Sequence, residues 1–444
     1  MSSPPNPRAL AVRVLRRVER EGAYSNRALA EELEAKSDMD PRDRGLATAL
    51  VYGVLRHVTR LDRHIDAFAH NPDRLKGELR MILRVACYEL REMERPLRVA
   101  SSEAAKLTSR LDPRGRLRGL VTAILSGIDR GGEALDEQLD AAEPVDALRY
   151  RWSIPGWLGR RWVRTLGPEV ARARARAMSE EPYIDLRIDA SRFDTREIRE
   201  EIQREHPRAR MEEVDPTQAQ CIRLRAAGDI FYSPAFERGA ISIQSLGAQQ
   251  AALALAAATR LPGARVLDAC AGMGTKTLQL AELMGRRGEL VAVDTDARKL
   301  EEFDALRERG ALDQPELRLQ TIHGDLGEAL DLGERFDAIL LDAPCTGLGD
   351  LARHPELRSR VRPEQLRANS AMQARLLRSC AERLRPGGTL VYAVCSLEPE
   401  EGVELIRAVA PECGLELLDQ AEWTPESHAS DGFFHATLRR PQPV

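Results

Sequence analysis

A chain of 444 residues, 43% hydrophobic and 31% charged, is long enough for two or three domains that each bury a core, which argues against a single domain. Its opening, MSSPPNPRAL, has no apolar leader-type stretch, and AALALAAAT from Ala251 is too short to span a bilayer, so a soluble cytoplasmic protein with no membrane partner is expected. The seven cysteines, Cys87, Cys221, Cys270, Cys345, Cys380, Cys395 and Cys413, show no C-x-x-C or other zinc-like spacing, which speaks against a structural metal and a disulfide framework.

The formal charge of -4 conceals an uneven distribution. Residues 1–130 carry 25 basic and 18 acidic side chains, a surplus of +7, and the remainder stands at -11. A second basic stretch, Arg149 to Arg176, holds eight arginines and one acid, Glu169, among Tyr150, Trp152, Trp157 and Trp162. Arginines interleaved with aromatics suit a phosphate backbone and stacked bases. A solvated helix face is an equally good account in a chain where only five of 66 basic residues are lysine.

From Arg8 to about Arg130 the hydrophobic period is helical. RALAVRVLRRVE puts Leu10, Val14 and Val18 on one stripe beside Leu15, and GLATALVYGVL, ELRMILRVACYEL and GLVTAILSGI repeat it, with turns at HNPDR and DPRGR. A loop is expected around Gly131 to Pro144. Beyond it, YIDLRID (183–189) and CIRLR (221–225) read as strands about a charged helix from Thr195 to Arg204, a small α/β module. From Ile241 onward strands alternate with amphipathic helices: RVLDAC (265–270), ELVAVD (289–294), LRLQTI (317–322), FDAILLD (336–342) and GTLVYAVC (388–395). This predicts a doubly wound, Rossmann-like sheet, extended by GLELLDQ and FFHATLRR. The expected division is a helical bundle over 1–140, a linker and small α/β module over 141–240, and an α/β sheet domain over 241–444.

The first strand of that sheet turns through DACAGMGTKT into a helix. Gly272 and Gly274 let backbone N–H groups approach a ligand at a helix N-terminus. Walker A fails, because Thr275 precedes Lys276, and the G-x-G-x-x-G fingerprint fails too. Asp294 ends the second strand, placed for two ribose hydroxyls, and Asp325 ends the third. Such acids fit an adenosyl ligand lying across the strand ends, although any one of them is as well explained as a helix N-cap.

Two cysteines stand just past strand ends, Cys345 after the fourth and Cys395 after the fifth. In strand order 3-2-1-4-5 these strands are neighbours, so both thiols face one cleft beside the ligand. Redox exchange is one use for such a pair. Methylation at carbon 5 of a pyrimidine is the other: a thiolate adds to C6, C5 becomes nucleophilic and takes a methyl group, and loss of the C5 proton expels the sulfur. Lys276, in the first helical turn against the dipole, is expected to serve the ligand or base, and Asp342 to accept from the exocyclic amine of cytosine. A buried turn-forming Asp is the plainer account of Asp342.

DACAGMGTKT, DAPCTGLG followed by ARHPEL, and LVYAVCSLEPEEG resemble the first, fourth and sixth motifs of the Sun/NOL1/NOP2 family of RNA cytosine-5 methyltransferases. The front end, with DRGLATALVYGVLRHVTRLD and RVACYELREMERP, is similar to the NusB-like domain of the family's bacterial RsmB branch, and the likeness runs from about Arg8 through YSPAFERGAISIQS to DGFFHATLRR. The resemblance implies that Cys395 is the nucleophile and that Cys345 aids product release, an assignment spacing alone leaves open. It further implies that S-adenosyl-L-methionine is held by Cys270, Ala271, Gly272, Met273, Gly274, Thr275 and Lys276 together with Asp294, Asp325 and Asp342, and that the partner is RNA, 16S ribosomal RNA of the small subunit. A monomer is expected. Met273, Thr275, Val394, Ser245 and Thr122 depart from the family pattern. A non-catalytic ribosome-assembly factor and a methyltransferase for small molecules or proteins are the competing readings. Neither gives two such thiols a use.

Overall fold

The computed structural model describes residues 6–36, 38–212, 220–225, 228 and 230–443; the first five residues, part of the segment in which no leader is expected, lie outside them. Contacts divide the chain into two compact units, Met1–Glu181 with Leu351–Arg360, and Pro182–Asp350 with Val361–Val444. Among the described residues no helix is long and apolar enough to cross a membrane, and no cluster of His, Cys, Asp and Glu is arranged to hold a metal ion.

The first unit is helical. Its opening helix, Pro7–Glu21, starts where Pro7 can forgo its missing N–H and Asn6 accepts from the amides of Arg8 and Ala9 at 2.9 and 3.1 Å. The predicted stripe of Leu10, Val14, Leu15 and Val18 is buried in the core that the helices Pro41–Arg56, Glu78–Arg91 and Arg116–Asp140 share. That last helix runs through the loop expected at Gly131 to Pro144, leaving only residues 141–143 outside helices. The reason is packing: a Cβ on Gly131 would lie 2.7 Å from Phe68 Cζ and one on Gly127 would lie 3.0 Å from Phe68 Cβ, so these glycines admit a ring and do not mark a turn.

The basic stretch forms the helices Gly156–Leu166 and Pro168–Ala177. Of its aromatics Trp162 is buried, and Tyr150, Trp152 and Trp157 are half-buried. The Arg174 guanidinium lies 5.9 Å from the Trp162 ring centre, and Arg151 lies 4.7 Å over Trp152. These rings stack on the chain's own arginines, which favours the packing account of the pattern over base stacking.

Leu351–Arg360, which interrupts the second unit in sequence, belongs to the first. Buried Glu356 accepts from Ser25 N and Oγ at 3.2 and 2.8 Å; Arg56 donates to Ala352 O at 3.0 Å; Arg358 donates to the carbonyls of Trp152 and Met178, each at 2.6 Å. Burial, and after it the charge of Arg56, pushes Arg358 down to about 9.

The second unit contains two sheets. Among the described residues the smaller has β1 (Ile184–Ile188), β2 (Arg210–Glu212), β3 (Cys221–Arg225) and β4 (Ile241–Ile243) in the antiparallel order β2-β3-β1-β4. The strand Ile241–Ile243, at which the large sheet is expected to begin, thus pairs with β1 instead. Two buried ion pairs join the β1 end of this sheet to the helix Thr275–Leu283 and the turn after it: Arg187 with Glu282 at 2.8 Å, and Arg286 with Asp189 at 2.5 Å.

The larger sheet comprises β5 (Arg265–Ala269), β6 (Gly288–Asp294), β7 (Leu317–His323), β8 (Phe336–Asp342), β9 (Leu384–Val394), β10 (Glu416–Trp423) and β11 (Phe433–Arg439), ordered β10-β11-β9-β8-β5-β6-β7 among the described residues. Its parallel part, β7-β6-β5-β8-β9, has the predicted 3-2-1-4-5 order; β11 and β10 add antiparallel strands. Alternation divides each strand between two cores. Leu267, Val291, Ile339 and Leu341 face one side, and Val266, Leu290, Ala338 and Leu340 face the other, where helix Leu246–Ala258 contributes Ala251 and Leu255.

Past β8 the chain is stitched to neighbouring loops by backbone bonds: Gly349 N donates to Cys395 O at 3.1 Å and Gly432 N to Gly349 O at 2.8 Å. A Cβ on Gly349 would lie 2.0 Å from Gly432 O, a backbone atom that cannot swing aside. Gly349→Ala is therefore expected to destabilise the protein by about 1–3 kcal/mol, as overpacking does; a lowered thermal midpoint checks this, and an unchanged one contradicts the close approach.

Candidate active site

Every candidate residue lies at or just beyond the C-terminal end of a parallel strand. After β5, Cys270, Gly272 and Gly274 all have positive φ (67°, 59° and 86°), and the helix Thr275–Leu283 follows. Ala271 N donates to Val293 O at 2.9 Å, which holds the turn against β6. A Cβ on Gly274 would fall 1.8 Å from the buried Phe303 ring, whereas one on Gly272 would meet nothing within 4 Å. Gly274 is required by packing; Gly272 faces open space, with the Met273 side chain 51% exposed beside it.

Asp294, at the end of β6, accepts from Gly272 N at 2.8 Å and from Asp296 N at 2.9 Å. It braces the glycine turn, and each carboxylate oxygen retains a lone pair for a further donor. Asp325, past β7, accepts from Gly327 N at 2.7 Å and pairs with Arg375 at 3.2 Å. The first contact closes a local turn and the second ties it to the helix Pro363–Arg383; no helix starts at Asp325, so the N-cap account weighed above does not apply to it. Lys276 and Asp342 form an ion pair at 2.7 Å, with the Lys276 ammonium 5.6 Å from the Phe433 ring centre. Burial pulls the ammonium down, but the charge and hydrogen bond of Asp342 more than restore it, and the net direction is upward. Lys276 therefore remains charged, and Asp342 is fixed by it.

The two thiols are brought together: Cys345 Sγ and Cys395 Sγ stand 3.2 Å apart. The hydrogen bond with Cys345, then burial, raises the Cys395 thiol well above its ordinary value. Cys395 therefore rests as the thiol, and the thiolate that adds to C6 must form when the substrate is present. Cys270 is also raised well above the ordinary value, by burial first. Around the pair lie residues that the sequence does not single out. Thr346, next to Cys345, donates from N to Glu401 Oε1 at 2.8 Å and from its hydroxyl to Glu401 Oε2, and Gln373 donates to Pro344 O at 2.9 Å. The glutamates of LEPEEG read as a charged turn; no local signal marks Glu401 as buried.

The open face over Gly272 and the acids of neighbouring strand ends fit an adenosyl ligand. A further buried acid, Asp268 on β5, accepts from Thr277 Oγ1 at 2.6 Å, and its Oδ1 has no partner. Burial raises it to about 7, opposed by the Thr277 bond, with Asp342 and Asp294 raising it and Lys276 lowering it. A carboxyl raised in the folded state binds its proton more tightly there than in the unfolded chain. Its destabilising effect is thus absent below the unfolded value, about 4, grows between pH 4 and 7, and is complete above 7. Asp268→Asn should consequently gain stability relative to the parent as pH rises from 5 to 8, by on the order of a few kcal/mol. Thermal midpoints of both proteins across that range check it; a constant difference contradicts ionisation of Asp268.

The family model for 16S rRNA methyltransferase RsmB/F matches residues 256–439, and the NusB family model matches residues 5–130. Ribosomal RNA small subunit methyltransferase B of Vibrio cholerae is 32% identical over 449 residues, spanning 98% of each chain. Among solved structures, PH0851 superposes with a TM-score of 0.77 at 23% identity over 99% of both chains. NSun6 from Pyrococcus horikoshii, with the S-adenosylmethionine analogue SFG, gives 0.56 at 19% identity, over 64% of this chain and 97% of its own. The strand order, the glycine turn and these likenesses agree, and the chain belongs to the RsmB/F methyltransferases, S-adenosylmethionine-dependent enzymes that here carry a NusB-type domain in front.

Proposed function

We propose that this methyltransferase modifies carbon 5 of a cytosine in 16S ribosomal RNA through a covalent bond between Cys395 and C6. The observation that carries the reading is the pair of thiols 3.2 Å apart at the ends of neighbouring strands, beside the Lys276–Asp342 pair. Methyl transfer to nitrogen or oxygen has no use for such a pair; activation of C5 does. The substrate is inferred from the relative named as a small-subunit ribosomal RNA methyltransferase and from the +7 charge of residues 1–130. In this reading 1–140 is the NusB-like RNA-binding domain, 141–240 the linker and small RNA-binding module, and 241–444 the methyltransferase domain.

Cys395, neutral at rest, gives up its proton to solvent as the base arrives, and its sulfur adds to C6. Asp342, held by Lys276, accepts from the exocyclic amine and favours cytosine over uracil. S-adenosylmethionine, when bound, supplies an electrophilic methyl group. Residues Cys270 to Lys276, Asp294, Asp325 and Asp342 would hold it, Asp294 through the ribose hydroxyls. Cys345, having passed its own proton to solvent, takes the C5 proton as a thiolate, the C6–sulfur bond breaks, and Cys395 leaves with the bonding pair.

Asp294→Ala is expected to weaken S-adenosylmethionine binding by about 1.5–3 kcal/mol, the range for hydrogen bonds to a charged group, when measured calorimetrically on the full chain. Equal affinity removes Asp294 from the site.

The two cysteines are separated by what each variant leaves behind. Cys395→Ala should transfer no methyl group and form no covalent RNA complex. Cys345→Ala should add and methylate but fail to release, accumulating a protein–RNA adduct that survives denaturing electrophoresis and carries the methyl label. The double variant should show no adduct. An adduct in Cys395→Ala exchanges the assignments, and free turnover by that variant ends the covalent mechanism.

A further inference from the structure

Glu401 is 0% exposed, lies six residues after Cys395, and its carboxylate meets no cation among the described residues. Four donors converge on it instead: Thr346 N at 2.8 Å, the Thr346 hydroxyl, Gln373 Nε2 at 3.2 Å and Asn369 Nδ2 at 3.3 Å. Its own carbonyl accepts from the buried Tyr392 hydroxyl at 2.7 Å, which ties the turn to β9. A carboxylate removed from water is tolerated only when its lone pairs are filled, and here half of the filling comes from the residue adjoining Cys345. Gln373 reaches both Glu401 and Pro344 O, the carbonyl on the other side of that cysteine, at 2.9 Å. The loop carrying Cys345 is thus held on the Thr346 side by Glu401, in the turn after Cys395, and on the Pro344 side by Gln373 of the helix Pro363–Arg383, which also meets Glu401.

We infer that Glu401 is a positioning residue for the thiol pair: its carboxylate fixes the backbone at Thr346 and so sets the place of Cys345 Sγ against Cys395 and the base. An apolar residue of similar size would fill the volume but leave the Thr346 amide without an acceptor, and the loop would relax toward water. The inference rests on the proposed role of Cys345 in release, and deepens it. Addition by Cys395 does not need the loop; release does. Loss of Glu401 should therefore act on the second half of the reaction.

The test uses full-length Glu401→Gln, with Thr346→Val as a second variant that attacks the same contact from the other side in case the first folds poorly. S-adenosylmethionine affinity reports intact folding and should stay within about twofold of the parent, as for a separate contact network. Single-turnover methyl transfer into RNA should be nearly retained. Multiple turnover should fall about tenfold to a hundredfold, with labelled adduct accumulating as in Cys345→Ala, because misplacing a reacting group by about an ångström has effects of that size. Turnover equal to the parent overturns the inference, as does a fall in turnover with methyl transfer falling in parallel and no adduct. A second readout needs no RNA: diamide oxidises two thiols to one disulfide and is itself reduced to the hydrazine, and the Cys345–Cys395 peptide is followed by mass. Its rate should drop about fivefold or more in both variants, since bond formation demands close sulfur geometry. Equal rates overturn the inference. If Cys345→Ala itself accumulates no adduct, the release reading fails, and the oxidation rates alone decide whether Glu401 sets the sulfur positions.

Discussion

Parallel strands β8 and β9 lie side by side with Asp342 opposite Ala393, so the chain leaves both at one level of the sheet. This register constrains the rest of the site. From a common level, three residues of travel bring Cys345 to Cys395, and the bonds of Ala343 N to Ala393 O at 2.9 Å and Gly349 N to Cys395 O leave the intervening loop little freedom. A slip of one residue in either strand would turn alternate side chains to opposite faces and separate the sulfurs. The two apolar cores on either side of β8 fix that register, so the energy of hydrophobic burial is what specifies the position of two polar sulfur atoms.

The electrostatics follow from the same burial. Within a few strand ends stand the Cys395 thiol, held well above its ordinary value, a carboxyl titrating at about 7 and the ion pair Lys276–Asp342. Burial raises Asp268, the hydrogen bond with Cys345 and then burial raise Cys395, and the Lys276 ammonium is kept by its carboxylate. Nucleophilic character in Cys395 must therefore appear with the substrate, which suits an enzyme whose thiol would otherwise be exposed to oxidants and stray electrophiles.

The sheet is legible because its signals are local: apolar runs of strand length, each ended by Gly, Asp or Cys, recur with amphipathic helices between them, and the observed order follows from them. The thiol pair is legible for the same reason, since strand order alone makes the fourth and fifth ends neighbours. What escapes is set by contacts distant in sequence. Gly131 looks like the start of a loop until Phe68, some sixty residues earlier, is seen against it. Trp152 and Trp162 look available for bases until Arg151 and Arg174 are seen against their rings. Ile241–Ile243 reads as the entrance to the large sheet, yet three residues carry no information about which sheet they join. Glu401 is the clearest case, because only the fold says which of Glu398, Glu400 and Glu401 meets Thr346.

The inclusion of Leu351–Arg360 in the helical unit has a bearing on synthesis. The helices through Glu181 emerge first, but the acceptor for Arg56 and the carboxylate for Ser25 are still about 170 residues from being made, which at typical elongation rates is roughly 10–40 s. Until then a guanidinium destined for burial stays hydrated and that part of the bundle remains open. The front of the protein thus finishes folding only after four strands of the larger sheet have left the ribosome, so a nascent chain arrested before residue 351 would expose the unfinished seat as a signal to chaperones.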